Sequence, residues 1–388
     1  MSVRMTIGPG RAPDAVRPVL LPLAVFAGIR ALCLAVLAGW AYASDRSARE
    51  LLSMRWDSLW YVRVVEHGYD FTLTAPDGRV LSDMAFFPLL PWLERTVTAL
   101  TSLGPADAGL LISAVASMAA AWGIFRLVEH FYGSRTALFT VALWAALPVS
   151  IVQSMAYSES LFVALSAWAL YAATVRRNWP LAGLLASLAG LTRPVGLAVT
   201  AAVWVAAALA WRELAEPGAS GHSAARKRIL LGAALAPLGA AGYILWVGQR
   251  TGSLLGYLDV QGAWGNGFDG GLAFARFTGG LITGPTPFAG VALLVGVLLL
   301  LRLCWACVRQ GQPLPWLVYG GIVVALALCS SGYFGSKPRL LMPAFPLLVP
   351  LAAALARTRA AAAWAVISAA AAIAAVYGAF WLHGSGPP

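Results

Sequence analysis

Residues 18–43 decide the fold, and they read PVLLPLAVFAGIRALCLAVLAGWAYA, an apolar run in which Arg30 is the single charge. An α-helix needs roughly 20 apolar residues to cross a bilayer core of about 30 Å, so the run predicts a transmembrane helix. Although Ala41-Tyr42-Ala43 resembles a signal-peptidase site, the apolar core of a secretory signal is only about 7–15 residues long. We therefore predict that the run is retained as the first span.

Apolar runs of this kind continue along the whole chain. Hydrophobic residues make up 60% of the sequence and charged residues only 11%, which excludes an ordinary soluble domain. We predict an all-α polytopic membrane protein, with residues 1–388 as a single integral domain of about eleven transmembrane helices. The predicted spans are residues 18–43, 108–128, 135–155, 158–175, 179–196, 197–211, 229–249, 285–303, 314–331, 339–356 and 360–381.

The net charge of +11 indicates the topology of the chain. When the N-terminus is placed inside, the excess of Lys and Arg falls on the inner side, as the positive-inside rule expects. The cluster Arg226-Lys227-Arg228 is one example. No nucleic-acid partner is predicted, because the basic residues are explained by topology. The composition is rich in Ala, Arg and Gly, which is typical of a high-GC bacterium, so we predict a bacterial plasma-membrane protein.

This topology places residues 44–107 and 250–284 outside the membrane and residues 212–228 in the cytoplasm. In the first outer loop, apolar positions between residues 50 and 64 recur at helical spacing, which predicts an interfacial helix. Residues 86–103 predict a second interfacial or re-entrant helix, because a full span there would invert every later loop. The outer loop 250–284 is rich in glycine and aromatic residues, and it is either a cover for a lipid-linked ligand or a plain connection.

The first outer loop contains an acidic residue among aromatic residues, in Met54-Arg55-Trp56-Asp57-Ser58-Leu59-Trp60-Tyr61. A carboxylate at the membrane surface is a candidate general base that removes the proton from an acceptor hydroxyl. Its neighbours Trp56, Trp60 and Tyr61 offer flat surfaces for binding a sugar ring. The alternative is that Asp57 is a solvated charge on an amphipathic helix.

Further charged residues lie at span ends on the predicted outer side, where charges are expensive and are therefore candidates for function. They are Asp83, Glu159, Arg193, Lys337 and Arg339. The three cations could bind a phosphate through charge-assisted hydrogen bonds. For Glu159 the alternative is a carboxylate stabilised by a helix N-terminus, and for Lys337 and Arg339 it is snorkelling to the interface.

The sequence predicts no metal site and no cofactor. The four histidines are scattered, and no glycine-rich motif could hold the phosphates of a soluble nucleotide. Four cysteines lie within apolar spans, where Cys304 and Cys307 form a CxxC without a second ligand pair. We interpret them as packing thiols.

Four motifs follow one another along the chain: Trp56-Asp57-Ser58, Ala85-Phe86-Phe87-Pro88, Ala156-Tyr157-Ser158-Glu159-Ser160-Leu161-Phe162 and Thr192-Arg193-Pro194. In this order they resemble the PIG-V family, the GPI mannosyltransferase II type of GT-C polytopic glycosyltransferases. The resemblance covers about residues 50–200, with a weaker match around Pro338-Arg339. After Arg193 the chain has Pro-Val-Gly, where the eukaryotic pattern tends to have Ser-Asn-Gly.

The resemblance implies a GT-C-like helical bundle and an enzyme that acts on the extracytoplasmic face. It implies transfer of mannose, with inversion, from a polyprenyl-phosphate-mannose donor to a lipid, glycan or protein acceptor. Asp57 would be the general base, and Glu159 would orient sugar or acceptor hydroxyls. Arg193, together with Arg339 or Lys337, would stabilise the lipid phosphate as it leaves.

A transporter or flippase of lipid-linked sugars is the alternative function. Transporters usually place charged residues near the membrane midplane and show internal repeats. Here the acids lie on one predicted surface and the sequence shows no internal repeat, so we favour the enzyme. A scaffold subunit of a cell-envelope complex is a third hypothesis, although no acid or cation of the candidate site has been lost.

Overall fold

The structure is a computed structural model, and it describes residues 20–214 and 222–387. These residues are almost wholly helical, with one antiparallel hairpin of strands β1 (Thr72–Thr74) and β2 (Val80–Ser82). Short 3-10 helices occupy Asp83–Ala85, Ser150–Ser154, Phe334–Ser336 and Phe345–Leu348. The α-helices are α1 (Leu20–Ala43), α2 (Ala48–Ser53), α3 (Asp57–His67), α4 (Leu89–Leu100), α5 (Pro105–Tyr132), α6 (Ser134–Ala145), α7 (Glu159–Thr174), α8 (Trp179–Gly190), α9 (Gly196–Glu213), α10 (His222–Leu235), α11 (Leu238–Thr251), α12 (Gly256–Ala263), α13 (Leu272–Thr283), α14 (Pro287–Arg309), α15 (Leu314–Cys329), α16 (Lys337–Leu341), α17 (Val349–Arg357) and α18 (Ala360–His383).

Six segments within the described ranges are long and apolar enough to cross a membrane: α1, α5, α9, the continuous Ser223–Thr251 segment of α10 and α11, α14 and α18. The pair Phe334–Leu341 and Phe345–Arg357, bent by 74°, becomes a seventh if it counts as one span. The helices α7, α8, α13 and α15 are apolar but shorter. The predicted all-α polytopic fold is confirmed, whereas the predicted number of about eleven spans is not confirmed by these lengths.

The predicted span 135–155 is broken in the structure. Helix α6 ends at Ala145 and a 3-10 helix follows from Ser150 to Ser154. Pro148 contributes to the break, because a residue before proline is disfavoured in the α conformation. Arg30 of α1 is buried at this break, where its guanidinium donates hydrogen bonds to the carbonyls of Ala145 and Ser150. Arg30, the charged residue of the first span, thus supplies hydrogen-bond donors to backbone carbonyls at the break after α6.

Small residues let α8 pack very closely against α10 and α11. A Cβ atom added to Gly190 would lie 2.8 Å from the backbone nitrogen of Ala240, and one added to Gly239 would clash with the carbonyl oxygen of Ser187. Such close approach is the usual role of glycine between membrane helices. It fixes the end of α8, from which the chain turns through Arg193 into α9.

The loop between α1 and α5 is folded, and it contains helices at both predicted interfacial positions, α3 and α4. Gly68, with φ of 79°, ends α3, as a glycine in the left-handed region commonly does. The buried Asp83 carboxylate accepts hydrogen bonds from the backbone amides of Asp70 and Phe71, at 3.2 and 3.1 Å, and so closes the base of the hairpin. Burial raises the pKa of Asp83 above its ordinary value.

The other two predicted loops are shorter than expected. The segment 250–284 contains the whole of α12 and α13, so it does not form one long irregular loop. In the predicted cytoplasmic loop 212–228, α9 extends through Glu213 and α10 begins at His222. Residues 215–221 of that loop lie outside the described residues.

Glu94 of α4 is a buried acid that the sequence does not single out. Its side chain is 1% exposed, and its Oε2 has no hydrogen-bond partner among the described residues. Gly109 of α5 makes room for it, because a Cβ atom there would lie 2.5 Å from Glu94 Oε1. Helix α4 is not among the segments able to cross a membrane, and burial raises the pKa of Glu94 to about 8.

Replacement of Glu94 by glutamine is expected to make the free energy of unfolding fall less as the pH rises. The folded-state pKa is above the ordinary value of 4.5, so the folded protein holds this proton while the unfolded chain loses it as the pH rises. Each pH unit between these two values therefore lowers the free energy of unfolding by about 1.4 kcal/mol. In thermal unfolding in detergent, Glu94→Gln is expected to match the wild type near pH 4.5 and to exceed it at pH 8. The exposed Glu66→Gln is the control, and equal pH profiles for Glu94→Gln and wild type would refute the assignment.

Candidate functional site

Two acids and two arginines that are distant in sequence meet at one end of the helical bundle. Arg339 donates a hydrogen bond from Nη1 to Asp57 Oδ2 at 2.9 Å, and its Nε lies 3.3 Å from Glu159 Oε1. The same Glu159 oxygen lies 2.5 Å from Nη1 of Arg193. We call Asp57, Glu159, Arg193 and Arg339 the charge network. The structure therefore brings together four of the residues proposed from the sequence.

Both acids of the charge network begin a helix. Asp57 is the first residue of α3 and Glu159 is the first residue of α7. The partial positive charge of a helix N-terminus favours a carboxylate at this position. The dipole interpretation of Glu159 is therefore compatible with a role in the site, because the helix end and the two arginines stabilise the same carboxylate.

Arg193 reaches the charge network from the tight turn between α8 and α9. The hydroxyl of Thr192 donates to the carbonyl of Ala189 at 2.6 Å, which holds the turn after α8. Gly196 is required at the start of α9, because a Cβ atom there would lie 2.6 Å from the Cα of Gly190. The turn formed by Thr192-Arg193-Pro194…Gly196 therefore places the side chain of Arg193 next to Glu159.

Tyr157 is the packing centre of the charge network. The guanidinium carbon of Arg339 lies 5.1 Å from the centre of its ring, a cation–π distance. The Tyr157 hydroxyl accepts a long hydrogen bond of 3.4 Å from the backbone amide of Asp57, and its carbonyl accepts one of 3.1 Å from Ser113 of α5. One buried aromatic residue thus contacts both partners of the Asp57–Arg339 ion pair.

The four residues of the charge network differ in exposure. The side chain of Glu159 is 1% exposed and that of Arg339 is 9% exposed, whereas that of Asp57 is 26% exposed. Two carboxylates and two guanidinium groups give a formal charge near zero, which is how buried charges are tolerated. Asp57 is accordingly the most accessible carboxylate in the network.

Lys337 lies outside the charge network, although it is only two residues from Arg339. Residues at this spacing on a helix do not face each other, and α16 directs the two side chains differently. The Lys337 ammonium donates hydrogen bonds to the carbonyl and hydroxyl of Ser330 and lies 5.4 Å from the centre of the Phe334 ring. The side chain is buried near the network but does not join it.

The three aromatic residues around Asp57 have different environments. Trp56 is partly exposed, and Trp60 stacks on Phe86 with ring centres 5.5 Å apart. Tyr61 is buried, and its hydroxyl donates to Ser158 Oγ at 3.0 Å. Burial, and then the nearby Asp57, raise the pKa of Tyr61 above its ordinary value, so it remains a donor at neutral pH. Trp56 and Trp60 are thus candidates for contacting a sugar, whereas Tyr61 links α3 to the segment of Glu159.

The sequence also leaves unassigned some residues that shape this site. Trp264, from the glycine-rich segment before α13, packs edge-on against Trp60 at 4.9 Å and donates to the carbonyl of Ser82. Tyr157 lies in one of the motifs, but the sequence indicates no role for it. No sequence pattern joins these residues, because they meet only when distant segments fold together. Across residues 20–214 and 222–387, no group of three or more His, Cys, Asp or Glu is placed to hold a metal ion.

One protein-family model matches part of this chain. The model described as dolichyl-phosphate-mannose-protein mannosyltransferase matches residues 85–246, which is less than half of the chain. The matched stretch contains Glu159 and Arg193 but neither Asp57 nor Arg339. No curated protein matches this chain.

Several solved structures are similar to this chain. It matches ArnT from Cupriavidus metallidurans bound to undecaprenyl phosphate with a TM-score of 0.53 and 17% identity, over 89% of this chain and 62% of that chain. The apo state of the same ArnT gives a TM-score of 0.50 and 18% identity, over 79% and 55%. The oligosaccharyltransferase AglB from Archaeoglobus fulgidus, in complex with an inhibitory peptide and a dolichol-phosphate, gives 0.47 and 13%, over 94% and 56%. This chain covers less than two thirds of the length of each of these proteins.

The likeness to ArnT shows the fold: this chain is an integral membrane protein with the GT-C glycosyltransferase fold. That result confirms the GT-C-like bundle predicted from the sequence. The PIG-V family itself stays a prediction.

Loss of the Glu159 carboxylate is expected to destabilise the protein strongly. Glutamine in its place would leave the buried Arg339 and the partly buried Arg193 without their shared counter-ion, and breaking a buried ion pair costs about 3–5 kcal/mol. The matched control is Glu213→Gln, whose partner Arg177 is 2.8 Å away in an exposed pair that is worth about 0–1 kcal/mol. Thermal unfolding in detergent measures both. Equal shifts for the two variants would show that Glu159 does not hold the charge network together.

Proposed function

We propose that this chain is a membrane glycosyltransferase that moves mannose from a polyprenyl-phosphate donor to a hydroxyl group of a lipid, glycan or protein acceptor. The reaction inverts the configuration of the sugar and takes place on the extracytoplasmic face. The observation that carries the proposal is the charge network, in which one accessible carboxylate is held by a buried set of opposite charges. A solvated charge on an amphipathic helix would not need such a support.

Asp57 is the general base in this proposal. Arg339 holds its Oδ2 atom, which fixes the orientation of the other oxygen, Oδ1. Oδ1 removes the proton of the acceptor hydroxyl while the acceptor oxygen attacks the anomeric carbon of the donor sugar. The bond between this carbon and the phosphate oxygen breaks, and the lipid phosphate leaves with the electron pair. Attack from the side opposite the leaving group gives inversion.

The leaving phosphate needs positive charge, and the site supplies it at two places. Arg193 and Arg339 are both engaged with carboxylates in the charge network. Lys337 is a buried cation two residues before Arg339, and we propose that it binds the phosphate directly. Such fixed charges act where negative charge develops, which is often the largest contribution to catalysis. Glu159 keeps the two arginines in place and, in this proposal, orients the hydroxyl groups of the sugar or acceptor.

Three likenesses support the proposed donor. The PIG-V motifs and the family model of dolichyl-phosphate-mannose-protein mannosyltransferases both favour mannose on a lipid phosphate. The structure of ArnT, which shares the fold, holds undecaprenyl phosphate. Trp56 and Trp60, beside Asp57, are proposed to contact the sugar ring.

Replacement of Asp57 by asparagine is expected to lower the rate of transfer by about 100-fold or more, because a positioned general base contributes on that order. The measurement uses purified protein in liposomes, radiolabelled polyprenyl-phosphate mannose and candidate acceptor lipids. Asp70→Asn is the matched control, since Asp70 is an exposed acid of the same loop. Full transfer by Asp57→Asn would refute the base assignment. Movement of the labelled lipid across the membrane without transfer would instead indicate a flippase.

The predicted side of the membrane is tested by labelling introduced cysteines in intact cells. Thr74, in the exposed hairpin of the first loop, is expected to react as Thr74→Cys with an impermeant thiol reagent. The control is Thr358→Cys, at the exposed turn between α17 and α18, which is expected to react only after permeabilisation. The reverse pattern would place the charge network on the cytoplasmic side.

A further inference from the structure

The carboxyl end of α18 lies against the segment that carries Asp57. Two arginines hold this helix end by its backbone carbonyls. Arg55 donates from Nη1 to the carbonyl of Leu382 at 2.5 Å and from Nη2 to that of Gly384 at 2.8 Å, while Arg46 donates to that of His383 at 3.1 Å. Basic side chains commonly satisfy the last carbonyls of a helix. Both arginines therefore cap α18, but only Arg55 is two residues from Asp57.

Arg55 makes a second contact that Arg46 does not make. Its guanidinium carbon lies 4.0 Å from the centre of the Trp56 ring, a close cation–π stack. A planar guanidinium can stack with its face while donating hydrogen bonds from its edge. Arg55 therefore connects the end of α18 to the residue that immediately precedes Asp57.

Trp56 has an unusual backbone. Its φ of 52° is in the left-handed region, which a bulky residue adopts only under constraint. This conformation turns the chain sharply into α3, so it sets the place of Asp57 as the first residue of that helix. Such a conformation persists only where its surroundings determine it, and strained residues of this kind cluster at functional sites.

The chain beyond α18 extends the same connection towards Arg339. Gly386 lies against Tyr333, since a Cβ atom on Gly386 would be 2.5 Å from the Tyr333 hydroxyl oxygen. Tyr333 precedes the 3-10 helix that leads into α16 and Arg339. The end of α18 and the residues after it thus contact the segments of both partners of the Asp57–Arg339 ion pair.

We propose that Arg55 is a positioning residue for the transfer reaction. By joining the end of α18 to the ring of Trp56, it holds the strained backbone that places the Asp57 carboxylate opposite the acceptor hydroxyl. The inference rests on the proposed function, because it assigns Arg55 to the base of that reaction. Capping of α18 alone does not account for the stack of Arg55 on Trp56. Arg46 also caps α18 but has no such stack.

The test compares Arg55→Met with Arg46→Met in the reconstituted transfer assay. Arg55→Met is expected to lower kcat by about tenfold or more, because small displacements of a catalytic group are costly in rate. Because Arg55 stacks on Trp56, a proposed contact of the donor sugar, the KM for the donor is expected to rise as well. Arg46→Met is expected to leave both parameters close to wild type. Arg55→Lys keeps the charge but cannot bridge two carbonyls while stacking, and is expected to fall between the two.

Thermal unfolding of each variant separates positioning from folding. Similar unfolding temperatures for Arg55→Met and Arg46→Met, with a loss of kcat in the first alone, support the proposal. Equal effects of the two variants on kcat, or a kcat loss that follows the loss of folded protein, would overturn it. Asp57→Asn is measured in parallel: if it abolishes transfer while Arg55→Met does not impair kcat, only the positioning role fails. If Asp57→Asn retains transfer, the proposed function fails first.

Discussion

A single buried carboxylate, Glu159, holds together the charged end of this protein. It begins α7 and lies within ion-pair distance of Arg193, from the turn after α8, and of Arg339, from α16. A charge with 1% exposure is tolerable only when opposite charges and a helix N-terminus stabilise it. The three segments must therefore fold together before any of these groups is stable, and their meeting fixes the place of Asp57.

The residues of the charge network and Tyr157 differ in how accessible they are to solvent. Glu159, Arg339 and Tyr157 are buried and leave little freedom of movement, whereas Asp57 presents a partly exposed carboxylate. Preorganised charge of this kind does not have to rearrange during a reaction. The strained backbone of Trp56 contributes to this preorganisation, because Arg55 and the end of α18 hold it from outside the network.

The fold class and the candidate charged residues could be predicted from the sequence, because membrane helices are specified by long apolar runs and charges within them are rare. The all-α bundle, α3 after the first span, and the residues of the charge network were all predictable in this way. The breaks after Ala145 and around Pro343 were not, since apolar composition is the same on both sides of a break. Nor could spacing show that Glu94 is buried or that Trp264 reaches Trp60. Those facts depend on packing between segments that are distant in sequence.

The most direct test of the account is a cryo-electron microscopy structure of the full chain with bound undecaprenyl phosphate. The account predicts that the phosphate lies beside the charge network, within hydrogen-bonding distance of Lys337 or of an arginine of the network. It also predicts that the Asp57 carboxylate remains accessible next to the phosphate. A phosphate bound at the opposite end of the bundle, or one that covers Asp57 and leaves no space for an acceptor hydroxyl, would contradict it.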